Sequence, residues 1–222
     1  MSIDFSKRPA ATLTKNDDAV GVALDDKVGG VITAELTWRS GVEGGSDLDL
    51  FGWVIGRNDV VVPTPSKGLR GLMAKATTPL PANAATVVYH HNLGSLQAPP
   101  FMRHGGDSRT PGREVMYLAG LEKQGYALFG VYQAYGNGAG SLLRFGATVT
   151  VTDTEGNKVT VPLLQDHPNR YWATIVLVDC TDPRGYVIRQ VEQYSRPGTE
   201  HSPVLYADGS FKMNQGPTYL VK

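Results

Sequence analysis

Apolar and polar residues alternate over short runs along most of the chain, which is the period of strands rather than helices. Residues 31–38, 50–55, 86–91, 114–118 and 127–132 are rich in β-branched and aromatic side chains and predict strands. After the run at 50–55 come Gly56, Arg57, Asn58 and Asp59, a turn, and then a further apolar run at 60–62. The clearest hairpin pairs 147–152 with 158–161 across Asp153, Thr154, Glu155, Gly156 and Asn157, all turn formers. Residues 171–179 and 186–194 predict another antiparallel pair across Asp182, Pro183, Arg184 and Gly185. Helical turns are expected only at 69–74 and 120–123, and a small hairpin at 205–211. Strands at this density without long helices predict an all-β protein, an antiparallel β-sandwich or a barrel.

Three long connections interrupt the strands, at 42–46, 62–80 and 93–112. The third carries Pro99, Pro100, Gly105 and Gly106 and exceeds the usual length of a connection, a property of functional loops. Pro and Gly recur again after Arg196, so the expected division is a sandwich over 1–196 and a C-terminal extension over 197–222. That extension either packs on the sandwich or mediates self-association.

Composition narrows the function classes. Among 222 residues, 21 Lys and Arg balance 21 Asp and Glu. A neutral chain lacks the global field that holds polyanions, which argues against nucleic acid as the main partner. One cysteine, Cys180, excludes an internal disulfide framework and any cysteine-built zinc or iron–sulfur site. The N-terminal residues lack an apolar signal core and no stretch is apolar for a membrane-spanning length, so a cytoplasmic location is expected.

Candidate chemistry concentrates in two places. Asp47 and Asp49, two apart on a strand, point to the same face a few ångströms from each other and repel unless something positive lies between them. Hard cations such as calcium take several oxygens from carboxylates, carbonyls and water. The plainer reading is a pair of solvated aspartates where a strand begins. Farther along, Asn92, His104, Asp107 and Glu114 add donors in and beside the long loop, although a lone Asp107 also suits a simple turn.

These residues carry a resemblance. Ser6 and Lys7, Leu13 to Lys15, Trp38, the run Gly45-Ser46-Asp47-Leu48-Asp49-Leu50, then His91-Asn92-Leu93, His104-Gly105-Gly106-Asp107 and Glu114 follow one another as in the TerD family of tellurium-resistance and stress-response proteins. The resemblance runs from about Ser6 to about Tyr194. It implies a calcium-binding β-sandwich that works as a non-enzymatic module among other stress-response proteins. Its implied ligands here are Asp47, Asp49, Asn92, Asp107 and Glu114.

The chain departs from the family pattern in three ways. Phe51 stands where the signature has a third aspartate, and His91 where it has a first asparagine. The acidic run before Glu114 is reduced to a stretch containing Arg109 and Arg113. The resemblance therefore implies one weakly held calcium ion or none. Two alternatives stay open: a metal-free scaffold for protein contacts, and a transition-metal enzyme using His91, His104 and Asp107, since imidazole suits zinc, nickel or iron. His90 and His91 point to opposite faces of a strand, so at most one joins such a site. Nucleophile elbows, phosphate-binding glycine loops and H-E-x-x-H are missing from the sequence, and the Gly-rich run at 136–141 reads as a hairpin tip; no catalytic residue is expected.

Overall fold

The computed structural model describes residues 11–23, 30–39, 47–62, 85–107, 112–134 and 141–219. Two sheets face each other. The first has seven strands in the order β1-β11-β10-β3-β8-β7-β6, and the second six in the order β2-β13-β12-β9-β4-β5. In the first sheet these are β1 (Ala11–Thr12), β3 (Ile32–Thr37), β6 (Gly94–Ser95), β7 (Met102–His104), β8 (Arg113–Leu118), β10 (Thr148–Thr152) and β11 (Lys158–Pro162). The second holds β2 (Ala19–Ala23), β4 (Leu48–Gly56), β5 (Thr86–Val88), β9 (Gln124–Gln133), β12 (Trp172–Asp179) and β13 (Gly185–Tyr194). A hairpin of β14 (Val204–Leu205) and β15 (Phe211–Lys212) follows. All pairings are antiparallel except that of β1 with β11, as the alternation and the tight turns predicted.

The core between the sheets takes alternate residues from both. Leu36, Met102, Met116, Leu118, Val149 and Val151 come from the first; Leu48, Leu50, Phe129, Ile175 and Ile188 come from the second. The sheets approach closely at Gly52, where an added Cβ would stand 2.4 Å from Met102 Sδ. The β10–β11 hairpin follows the period of two strictly, with Val149, Val151, Val159 and Val161 inward and threonines outward.

The second sheet is buried on its outer face as well. Phe51, Trp53, Tyr132 and Trp172 form a separate apolar layer there, closed by Leu205 and flanked by Phe211 and Tyr219 of the C-terminal segment. Phe51 lies within 4.7 Å of Trp172 and 5.0 Å of Tyr219, centroid to centroid. Gly130 leaves room for Trp53, whose ring is 3.1 Å from where a Cβ would be. Ser195 Oγ accepts the N–H groups of Tyr171 and Trp172, and Trp172 Nε1–H donates to the Glu200 carbonyl, so the segment after β13 is fixed to this face. Burial on both sides explains why β4 reads as an unbroken apolar run rather than an alternating one.

Several expectations change. Residues 60–62 form no strand: Val60 N–H closes the 3₁₀ turn Arg57–Asp59 on the Arg57 carbonyl, and Val61 N–H donates to the Ala207 carbonyl. The connection at 93–112 contains β6 and β7, which extend the first sheet at its edge. The expected turn at 120–123 is the 3₁₀ helix Leu121–Lys123. The expected loop at 42–46, the helical turn at 69–74, Arg109 and most of the Gly-rich run at 136–141 lie outside the described residues. Among the described residues no helix is long and apolar enough to cross a membrane.

Candidate metal centre

β4 begins at one end of the second sheet, and its alternation sorts the side chains of its first residues. Leu48 and Leu50 turn into the core between the sheets, whereas Asp49 turns outward onto the face that carries Phe51 and Trp53. Asp47 precedes the strand and is half-buried; Asp49 is only 1% exposed. The connection from β7 to β8 brings the exposed Asp107 to the same place. One oxygen from each of Asp47, Asp49 and Asp107 lies within 4.8 Å of the others. This is the one group of three or more His, Cys, Asp or Glu among the described residues whose ligand atoms converge in this way. Two oxygens on opposite sides of a calcium ion, each about 2.4 Å away, are about 4.8 Å apart, so the span suits one shared ion.

Glu114 stands beside this cluster in a different role. It projects from β8 into the core and is 1% exposed. The Leu50 N–H donates to its Oε2 at 2.5 Å. This N–H belongs to β4 just before the pairing with β5 begins at Gly52, so a carboxylate from the opposite sheet supplies the acceptor there. His104 Nε2 lies 3.3 Å from the same oxygen, and His104 Nδ1 accepts from Gly106 N–H at 3.0 Å. These two contacts assign the Nε2–H tautomer to His104 and use both of its ring nitrogens. Glu114 Oε1 is buried with no hydrogen-bond partner. A recess of 210 Å³ lined by Gly105, Asp107, Arg113 and Glu114 opens next to it.

Asn92 is exposed, and its backbone closes the turn after β5 through reciprocal bonds with Tyr89. Its Nδ2–H donates to the Val87 carbonyl at 2.7 Å. The histidine alternative is corrected: His91 is exposed, His104 is committed to Glu114 and Gly106, and neither joins Asp107 in a converging group. It is His90 that turns inward, its side chain 7% exposed and its Nδ1 3.2 Å from Asp49 Oδ1. The expected strand over 86–91, with His90 and His91 on opposite faces, is also corrected: β5 ends at Val88, the turn closed by Tyr89 and Asn92 holds both histidines, and their rings meet edge to face with centroids 4.3 Å apart.

Phe51 follows Asp49 on the same face, where its ring stacks on Tyr89 with centroids 4.9 Å apart. The carboxylate ladder thus gives way to an aromatic layer after two residues. Tyr132, opposite Asp49 on β9, has its phenol pushed far above its ordinary pKa, by burial first and then by the charges of Glu200 and Asp49. It is a neutral wall of the site. Arg113 Nη2–H donates to Glu35 at 2.5 Å, which engages one of the two arginines in the stretch before Glu114.

No family model and no curated protein matches the chain. Among solved structures it is similar to a homologue of the telluride resistance protein TerD from Streptomyces coelicolor A3(2), at 12% identity and a TM-score of 0.47, over 74% of this chain and 89% of that one. A second similar structure, of a protein of unknown function, has 13% identity and a TM-score of 0.47, over 74% of this chain and 88% of the other.

Proposed function

We propose that the chain is a TerD-like, non-enzymatic β-sandwich that binds one calcium ion weakly through Asp47, Asp49 and Asp107 and serves as an interaction module in a stress response. The observation that carries this reading is the convergence of three carboxylates from two distant parts of the chain. At an effective dielectric of about 20, two carboxylates 4.8 Å apart repel by about 3 kcal/mol, and a divalent cation turns that repulsion into attraction. The ion would tie the start of β4, in one sheet, to the β7–β8 connection, in the other. Neutralising Asp107 fixes that connection and the surface around it, which is then presented to a protein partner. With three carboxylates and no third aspartate on β4, water and backbone carbonyls must complete the six to eight ligands calcium takes, so affinity is low.

The test is a thermal melt of chelator-treated protein with and without millimolar calcium, with magnesium and zinc as controls. At a hundred times its Kd, calcium adds about 2.7 kcal/mol. At about 2–4 °C per kcal/mol for a chain of this size, that raises Tm by about 5–11 °C. Asp49→Asn removes the gain and leaves the calcium-free protein folded; a gain that survives the substitution overturns the site.

The metal-free scaffold keeps one observation in its favour, the His90 imidazole against Asp49. In that reading His90 stands where a cation would, and the melt does not respond to calcium at all.

A further inference from the structure

The far end of β4 borders a second feature that the carboxylate cluster does not use. A cleft of 540 Å³ lies between residues 54–59 on one side and Pro99, Pro100 and Phe101 on the other, within the range of small-molecule sites. Its second wall is the turn between β6 and β7. The wall is braced from behind: Gln124, 1% exposed, donates from Nε2 to the carbonyls of Pro100 at 3.0 Å and Ala119 at 3.3 Å. Phe101 itself is held at φ +53°, a left-handed conformation rare for a bulky side chain. Such strain collects where a fold positions a ligand.

A cation, Arg57, lines the cleft, and one of its donors is unmet. Arg57 hydrogen-bonds the Cys180 carbonyl through Nη2, but its Nε is buried and has no partner. A buried N–H on a charged group is costly to leave unsatisfied, and the planar guanidinium edge matches a carboxylate. Lys123 adds a second positive charge at the rim, its Nζ 4.7 Å from the centre of the Phe101 ring. Asp59 lines the same cleft, and Glu122 Oε1 lies 3.9 Å from Lys123 Nζ. These carboxylates offset part of the positive charge, which works against polyanions such as phosphate.

We infer that this cleft binds a small organic carboxylate, its anion held by Arg57 and Lys123 and its apolar body resting on Pro99, Pro100 and Phe101. The site is separate from the carboxylate cluster. Arg57 follows Asp49 by eight residues along an extended strand, up to about 26 Å at about 3.3 Å per residue.

The probe is phenylacetate, added to ¹⁵N-labelled full-length protein while the Arg57 Nε–H resonance and the backbone amides of Gly56 and Lys123 are followed. Saturable shifts with a Kd of about 1 mM are expected. Inorganic phosphate at matched ionic strength should give none. Arg57→Lys, which loses the planar fork, should weaken binding about tenfold or more. Lys123→Ala, at an exposed position that leaves the fold intact, should weaken it about threefold. Asp49→Asn should leave it unchanged, which separates this site from the proposed calcium site. Shifts that stay linear in concentration, or that are the same in Lys123→Ala and Arg57→Lys as in the natural chain, overturn the inference. Phosphate binding as tightly as phenylacetate overturns the carboxylate assignment.

Discussion

Replacing Glu114 with alanine tests the claim that this buried carboxylate joins the two sheets. In the folded protein its Oε2 accepts the Leu50 N–H at 2.5 Å and lies 3.3 Å from His104 Nε2, with both side chains shut off from solvent. Alanine offers neither contact. Leu50 is fully buried, so its N–H loses its acceptor inside the protein. Each donor stranded in this way costs about 1–3 kcal/mol, and the vacated volume adds to it. The sum is about 3–5 kcal/mol, in line with the cost of removing one partner from a buried pair. Tm should fall by about 6–20 °C at about 2–4 °C per kcal/mol.

Glu114→Gln is the informative companion. Its amide oxygen still accepts from Leu50 N–H, and it carries no buried charge, so its loss should stay within about 1 kcal/mol. Urea unfolding followed by tryptophan fluorescence reads both variants, with a lower midpoint at unchanged slope marking a true stability change. A Glu114→Ala stability within about 0.5 kcal/mol of the natural chain would refute the tether, because a change that small is what an ordinary surface substitution gives.

Three further outcomes follow from the same physics. Burial, and after it the charge of Asp179, pushes the Cys180 thiol up to about 12 from its ordinary 9.0. Native protein at pH 8 should therefore give no colour with a thiol-reactive disulfide reagent until denaturant is added. Because the folded pKa is the higher one, the stabilisation is complete below about pH 9 and is lost as pH rises towards 12, a loss that Cys180→Ala should remove. Phe51→Asp, which would place an aspartate where the TerD signature has its third, should not strengthen calcium binding. It should instead unfold the protein or lower its stability by more than about 4 kcal/mol, since Phe51 is wholly buried against Trp53, Tyr89 and Trp172. A folded variant with tighter calcium binding in the same melt would contradict this.

Much of the fold was legible in the sequence because the period of strands is local. Threonine and valine alternate through 148–152 and 158–161 around a five-residue turn, and only an antiparallel hairpin with one wet face satisfies that pattern. The β12–β13 pair announced itself in the same way. The apolar run at 60–62 misled for a non-local reason: its backbone partner is Ala207, in the C-terminal segment, and not a neighbouring strand. β6 and β7 were read as loop because strands of two and three residues carry too few positions to show a period.

The site divides along the same line. The sequence alone determined which residue types could hold a hard cation, and that Asp47 and Asp49 share a face, because side chains two apart on a strand always do. The strand expected over 86–91 wrongly set His90 and His91 on opposite faces, because a turn after Val88 brings their ring centroids within 4.3 Å of each other. Only the tertiary structure decided that Asp107 joins those aspartates and that His90, rather than His91, meets Asp49. It also decided that Glu114 spends one oxygen on the β4 backbone, and that Phe51 lies beneath the C-terminal segment rather than in water. These are contacts between residues far apart along the chain. They depend on how two sheets and a returning segment pack, which no local pattern encodes.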